Sequence, residues 1–175
     1  MIKVIILLLG TVSALLAGTI NIEFEGAGVT PIGGWGEYLS NGLAGGLYGS
    51  WLFSDKLSAG LGVEGVVFGD GNQGSASFTQ FKPMGIGSFY LRPYGRVFNP
   101  GLVVAFGYNQ SRLSAEGGID AASWDLFWRA GIRWNFSLGS PWRAGLGLDL
   151  ESVMASEKTG DSFKFTFGIS RGIEL

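Results

Sequence analysis

The chain has 175 residues, with 31 Gly, 13 Phe, 6 Trp, no Cys and no His, so it is the size of one domain and lacks the means for a disulfide framework or any histidine-dependent site. Only 15% of its residues are charged, the formal net charge is −2 and no stripe of Lys or Arg appears, which argues against a nucleic-acid partner. Mean hydropathy is +0.29, yet beyond the N-terminus no run of about twenty apolar residues supplies a membrane-spanning helix.

The opening "MIKVIILLLGTVSALLAG" has one Lys, a short apolar core and small residues at its end, the pattern of a secretory leader. Cleavage is expected after Ala17, which divides the chain into a signal peptide at 1–17 and a mature domain at 18–175. No Cys follows the leader, so a lipoprotein anchor is not expected.

From Thr19 onward, apolar and polar residues alternate in blocks punctuated by Gly, Asn, Asp, Ser and Pro, the rhythm of β-hairpins. About eight blocks are present, each near the length of a tilted membrane-crossing strand. The first, Thr19 to about Thr30, sets Ile20, Ile22 and Phe24 against Asn21, Glu23, Glu25, Ala27 and Val29. The second (42–53) offers Leu43, Leu47, Trp51 and Phe53 against Ala44, Gly46, Tyr48 and Ser50. After "SDK", the third (57–69) opposes Leu57, Leu61, Val63 and Val67 to Ser58, Gly60 and Glu64, with Val66 and Phe68 pointing inward near its end.

A fourth strand is predicted to begin between Phe78 and Met84 and to run as far as Phe98, ending at "RPYG" or "NPG". It would place Phe89, Leu91, Pro93 and Val97 on one side and Ser88, Tyr90, Arg92, Tyr94 and Arg96 on the other. Pro83 and Pro93 are expected at bulges or strand ends, because proline removes a ladder donor. The fifth, Gly101 to Arg112, alternates Leu102, Val104, Phe106 and Tyr108 with Val103, Ala105, Gly107 and Asn109.

The sixth, "WDLFWRAGIRWNF" (124–136), separates with period two into Trp124, Leu126, Trp128, Ala130, Ile132, Trp134 and Phe136 against Asp125, Phe127, Arg129, Gly131, Arg133 and Asn135. The seventh, Trp142 to about Met154, and the eighth, "FKFTFGISRGIEL" (163–175), continue the pattern, with Arg171 the one exception on the apolar side of the last strand. Such an arginine near the chain end can snorkel to an interface. Short connections ("SDK", "NPG", "GSP") alternate with longer ones ("PIGGWGEYLSNG", "DGNQGSASF", "SAEGGIDAAS", "ASEKTGDS"), the outer-membrane arrangement, with both termini on the short-turn side.

Alternation alone fits a soluble barrel whose apolar side faces inward, as in lipocalins. Three features favour the opposite assignment: the small parity is rich in Gly, Ala and Ser, as a narrow lumen requires; the large parity carries aromatics near strand ends; and there is too little charge for a solvated surface. The expected girdle is Trp51, Phe53, Trp124, Trp134, Phe136, Trp142 and Phe163. Arg129 and Arg133 then face the lumen, because an arginine on the lipid face at mid-depth costs roughly 2 to 4 kcal/mol. The predicted fold is an all-β, eight-stranded antiparallel up-and-down transmembrane β-barrel.

With that pattern, and "FKFTFGISRGIEL" as its most specific segment, the mature chain resembles the small outer-membrane β-barrel proteins of Gram-negative bacteria, the OmpA-like, OmpX-like and OmpW-like domains. The resemblance implies residence in the cell outer membrane, contact with its lipid and lipopolysaccharide, a monomer, and a C-terminal signal for the barrel assembly machinery, carried here by Phe165, Phe167, Ile169, Ile173 and Leu175. Members usually end in Phe, and this chain ends in Leu175. Some barrels of this size act on lipid A acyl chains with a catalytic His, a mechanism closed to a chain without histidine. No enzyme activity, catalytic residue, cofactor or metal is expected.

The lumen side gathers a candidate charge network of Glu23, Glu25, Glu64, Arg92, Arg96, Arg129, Arg133, Arg143, Asp149 and Glu151, with Glu64, Arg92, Arg129 and Asp149 at similar middle heights. It reads as a self-neutralised core of ion pairs in preference to a gated pore, since an eight-stranded barrel is just wide enough for its side chains to fill. The long loops carry Glu37, Asp70, Glu116, Asp120, Glu157 and Asp161, an acidic rim, and Trp35 and Tyr38 are its expected exposed contacts. The leading expectation is a structural or surface-interaction protein whose barrel anchors its loops. The alternative, a conduit for small hydrophobic molecules, requires an open apolar upper lumen around Val66 and Phe68; a third reading, a soluble ligand-binding barrel, requires solubility without detergent.

Overall fold

A computed structural model describes residues 18–69, 76–115, 119–155 and 159–174. Eight antiparallel strands, β1 (Thr19–Ile32), β2 (Gly42–Ser54), β3 (Leu57–Phe68), β4 (Ala76–Tyr90), β5 (Phe98–Ala115), β6 (Ile119–Gly139), β7 (Trp142–Met154) and β8 (Gly160–Glu174), follow one another around a closed barrel. The expected leader at 1–17 and the terminal Leu175 lie outside the described residues.

The register explains the barrel's bore. Stepping from partner to partner, Thr19, Leu52, Ser58, Ser88, Val103, Gly131, Asp149 and Lys164 lead back to β1 at Val29, ten residues above the start. With eight strands, that stagger tilts the strands and leaves an interior that side chains can fill.

Side-chain burial alternates as the period-two reading requires. Phe24, Leu43, Leu61 and Phe106 stand 63%, 74%, 75% and 66% exposed on the outer wall, whereas Lys82, Arg129 and Lys164 are 0% exposed inside. This is the reverse of a water-soluble barrel, because charge is enclosed and apolar surface displayed, and it is the arrangement a bilayer stabilises.

Four sequence expectations change. Strand β4 begins at Ala76 and ends at Tyr90, so the stretch from Leu91 to Val97 is a turn and Arg92, Pro93 and Arg96 leave the barrel wall. Asn99 holds this turn: its side-chain amide donates to the carbonyl oxygens of Arg92 (2.8 Å) and Pro93 (3.2 Å), and its Oδ1 accepts from the Arg92 N–H at 3.1 Å. Those bonds replace ladder bonds that Pro93 could not have made.

Pro83 is neither at a bulge nor at a strand end. It sits within β4, paired to Val63 of β3, and the ladder to β5 lapses between Phe81↔Gln110 and Met84↔Gly107 without a change of register. The partner strand tolerates the close approach because residue 107 is glycine: a Cβ there would lie 2.2 Å from the Pro83 carbonyl oxygen.

"SAEGGIDAAS", expected as a loop, is mostly paired: β5 and β6 remain in register up to Ala115↔Ile119. Because β6 meets β7 only from Leu126↔Met154, the β6 arm of this hairpin extends beyond β7, while its β5 arm stays paired to β4 up to Ala76↔Ala115. The fourth change concerns Trp35, described with the site below. The short turns lie at the other end, two of them beside register shifts at Leu52/Ser54 and Ser137/Gly139. Gly139, at φ 109°, adopts a conformation that a side chain would strain.

Candidate functional site: an occluded lumen

Inward-facing residues of β1, β3, β4, β6, β7 and β8 bring nine charged side chains together at mid-barrel. Glu64 is the hub. It accepts from Arg129 Nη1 at 2.9 Å, from Lys164 Nζ and from the Tyr48 hydroxyl at 3.0 Å, with Lys82 Nζ 3.8 Å away. Glu151 accepts from Lys82 and lies 2.8 Å from Lys164, closing a four-membered ring of alternating charge.

Arg129 links this ring to a second group, with Glu25 at 3.7 Å. Arg133 then pairs with Glu25, with Asp149 at 2.9 Å and with Glu23 at 3.8 Å. Every member joins one network, as a water-poor interior demands, because a buried charge without a partner costs several kcal/mol.

Narrowness is written into the glycines of the same wall. A Cβ at Gly131 would stand 1.8 Å from Asp149 Oδ1 and 2.6 Å from the Leu148 carbonyl, and one at Gly147 would stand 2.5 Å from Arg133 Cδ. The long side chains therefore occupy the volume that their neighbours leave empty.

Towards the long-loop end the filling is mostly apolar, with Gln80, Asn109 and Ser111 buried beside it. Val29, Val66 and Phe68 form a buried cluster there with Leu39, Ala44 and Phe78 against it, while a second cluster of Tyr48, Met84, Ala105, Phe127 and Val153 begins at the height of the charges, where Tyr48 and Met84 touch Arg129, and runs up towards it. Trp35, from a 3-10 turn at Gly33–Trp35, is a half-buried part of this packing. Its ring meets Phe78 edge-on at 5.7 Å and lies where a Cβ on Gly160 would be 1.9 Å away. The expectation of an exposed Trp35 is thus corrected: the lumen mouth offers an apolar seat, and the indole takes it. Tyr38 remains 49% exposed.

Towards the short-turn end the lumen opens. A cavity of about 20 Å³ lies among Glu23, Ser88, Tyr90 and Arg133, and below it an open vestibule of about 730 Å³ at the barrel rim is lined by Asp55, Tyr94, Pro141 and Arg143 and reaches Trp142 and Arg171. Arg143 is buried, donates to the Arg96 carbonyl at 2.9 Å and stacks 4.7 Å over the Tyr94 ring, so it braces the turn and stands apart from the central network.

Of the residues expected in the network, Glu23, Glu25, Glu64, Arg129, Arg133, Asp149 and Glu151 come together, and Arg143 lies below them. Arg92 and Arg96 do not: both are exposed on the turn after β4. Their places are taken by Lys82 and Lys164. Lys164 lies on the inward parity of "FKFTF", a legible signal; Lys82 follows Gln80 and precedes Met84 on one parity, a signal masked by Pro83.

The girdle residues all point outward. Trp51, Phe53, Trp134, Phe136 and Trp142 collect at the short-turn end, where Trp51 and Phe53 lie 5.9 Å apart and Phe136 meets Phe98 at 5.3 Å, while Trp124 and Phe163 lie towards the long loops. Phe165, Phe167, Ile169 and Ile173 line the outer face of β8. Of the acidic rim, Glu37 is exposed and Asp161 half-buried, whereas Asp70, Glu116 and Glu157, and the side chain of Asp120, lie outside the described residues.

No family model and no curated relative matches the sequence. Among solved structures, the fold is similar to Neisserial surface protein A (TM-score 0.66, 13% identity, 88% of this chain and 98% of that one). It is also similar to the outer membrane protein OprG from Pseudomonas aeruginosa (0.56, 16%, 91% and 98%) and to Ail, the attachment invasion locus protein of Yersinia pestis, in complex with the heparin analogue sucrose octasulfate (0.57, 11%, 89% and 99%). These neighbours are bacterial outer-membrane barrels, and at such identities the likeness is one of fold: the chain is a closed eight-stranded antiparallel barrel of the outer-membrane type.

Proposed function

We propose that this protein resides in a bacterial outer membrane as a closed, monomeric barrel, inserted by the barrel assembly machinery, that anchors surface-exposed loops and conducts no solute. The observation that carries the reading is the continuity of the lumen filling: a nine-charge network spans the middle and an apolar seal covers it. In this setting outer-membrane lipid and lipopolysaccharide face the apolar wall, and contact with other molecules falls to the long-loop end, where Tyr38 is 49% exposed and β6 extends beyond its ladder to β7. The conduit reading is disfavoured because Val66 and Phe68, which would line its path, are 1% and 2% exposed and packed on one another's neighbours.

The test is single-channel conductance of the refolded protein in a planar bilayer, after heat-modifiable gel migration has established a folded barrel. Silence is expected from the native chain and also from Arg129→Ala, which removes the side chain linking the two halves of the network but leaves the apolar seal above it in place. Steady conductance by the native chain would overturn the closed reading.

A further inference from the structure

On the outer face of β8, Phe163, Phe165, Phe167, Ile169 and Ile173 make an apolar row that only Arg171 interrupts. Its cross-strand neighbours are Ile22 of β1 and Trp142 of β7, both outward-facing. The guanidinium lies 5.4 Å over the Trp142 ring, and among the described residues it has no carboxylate partner.

A cation on a lipid-facing wall costs roughly 2 to 4 kcal/mol at mid-depth and about 0 to 1 near an interface. Arg171 is at the interface level, because Trp142 is the first residue of β7 after the Ser140–Pro141 turn and belongs to the short-turn girdle. The apolar flank and the indole shelf, with no carboxylate paired to Arg171 among the described residues, together describe a half-built anion site. A guanidinium seated over an aromatic ring by a cation–π contact still has N–H groups to offer a bidentate phosphate.

We propose that Arg171 and Trp142 bind the head-group phosphate of a phospholipid in the periplasmic leaflet, with the acyl chains lying along Ile22 and Ile169. This rests on the outer-membrane reading above, which places the short turns on the periplasmic side. An anionic phosphatidylglycerol fits better than a phosphatidylcholine, whose phosphate already carries its own cation.

The experiment is native mass spectrometry of the full refolded barrel, offered equal amounts of phosphatidylglycerol and phosphatidylcholine with identical chains. The native chain is expected to retain phosphatidylglycerol preferentially, Arg171→Gln to lose about tenfold of that preference, and Arg171→Lys, which keeps the charge and loses the fork, to fall between them. Equal preference in Arg171→Gln and the native chain would overturn the site. So would displacement of the lipid by millimolar inorganic phosphate, which would identify a free-anion site, or by soluble peptidoglycan fragments, which would identify a cell-wall contact. Gel migration and conductance report barrel closure separately, so failure of the lipid site is distinguishable from failure of the closed-barrel reading.

Discussion

The long-loop end and the middle of the lumen are closed by different physics. At the long-loop end, Trp35, Phe68, Phe78 and Val66 pack by shape and apolar area, whereas the middle is filled by charges that are stable only as a complete set. At the short-turn end neither device is present, and a vestibule of about 730 Å³ remains. The contrast shows which losses each part tolerates. An apolar seal loses stability in proportion to the surface removed, while an ion-pair network responds to the imbalance left behind.

The network is therefore where a single substitution is expected to cost most. Glu64→Gln leaves Lys82, Lys164 and Arg129 sharing one carboxylate fewer, and a loss of about 3 to 5 kcal/mol is expected in urea unfolding from lipid vesicles. Adding Arg129→Met removes a cation that Glu64 had paired, returns the network to its native excess of one carboxylate, and is expected to recover part of that loss. A double variant less stable than Glu64→Gln would break the comparison, since both parts would then respond simply to the atoms removed.

A smaller effect is expected at the seal. Trp35→Ala removes a half-buried indole and is expected to cost about 2 kcal/mol, roughly half of a fully buried aromatic, while the bilayer current stays silent because the network lies beneath. Conductance in this variant would show that the seal, and not the charges, blocks the lumen.

The smallest effect belongs to the open end. Arg143→Ala gives up the bond to the Arg96 carbonyl and the stack on Tyr94, and about 1 kcal/mol is expected, together with faster amide exchange confined to residues 91–97. A loss as large as that of Glu64→Gln would mean that Arg143 belongs to the central network.

Much of this was legible before the structure. The parity of "WDLFWRAGIRWNF" placed its tryptophans outside and Arg129 and Arg133 inside, because a strand's side chains alternate strictly and lipid penalises charge. The reading failed at β4, where "FKPMGIG" offers a proline and two glycines and its alternation starts late. A strand drawn too far towards Phe98 carried Arg92 and Arg96 into the lumen and left Lys82 out. Trp35 was misread for a different reason: nothing local to "PIGGWGEY" records that an apolar seat exists across the barrel at Phe78 and Gly160.

By itself, the sequence determined the number of strands, the side each faces and the class of fold, because these follow from period-two alternation and turn chemistry, which are local. Only the tertiary structure decided which carboxylate meets which cation, since partners such as Glu25 and Arg133 come together only when closure and a ten-residue stagger bring β1 opposite β6. Pairing across a barrel is set by shear, and shear is a property of the closed ring of strands that no single strand carries.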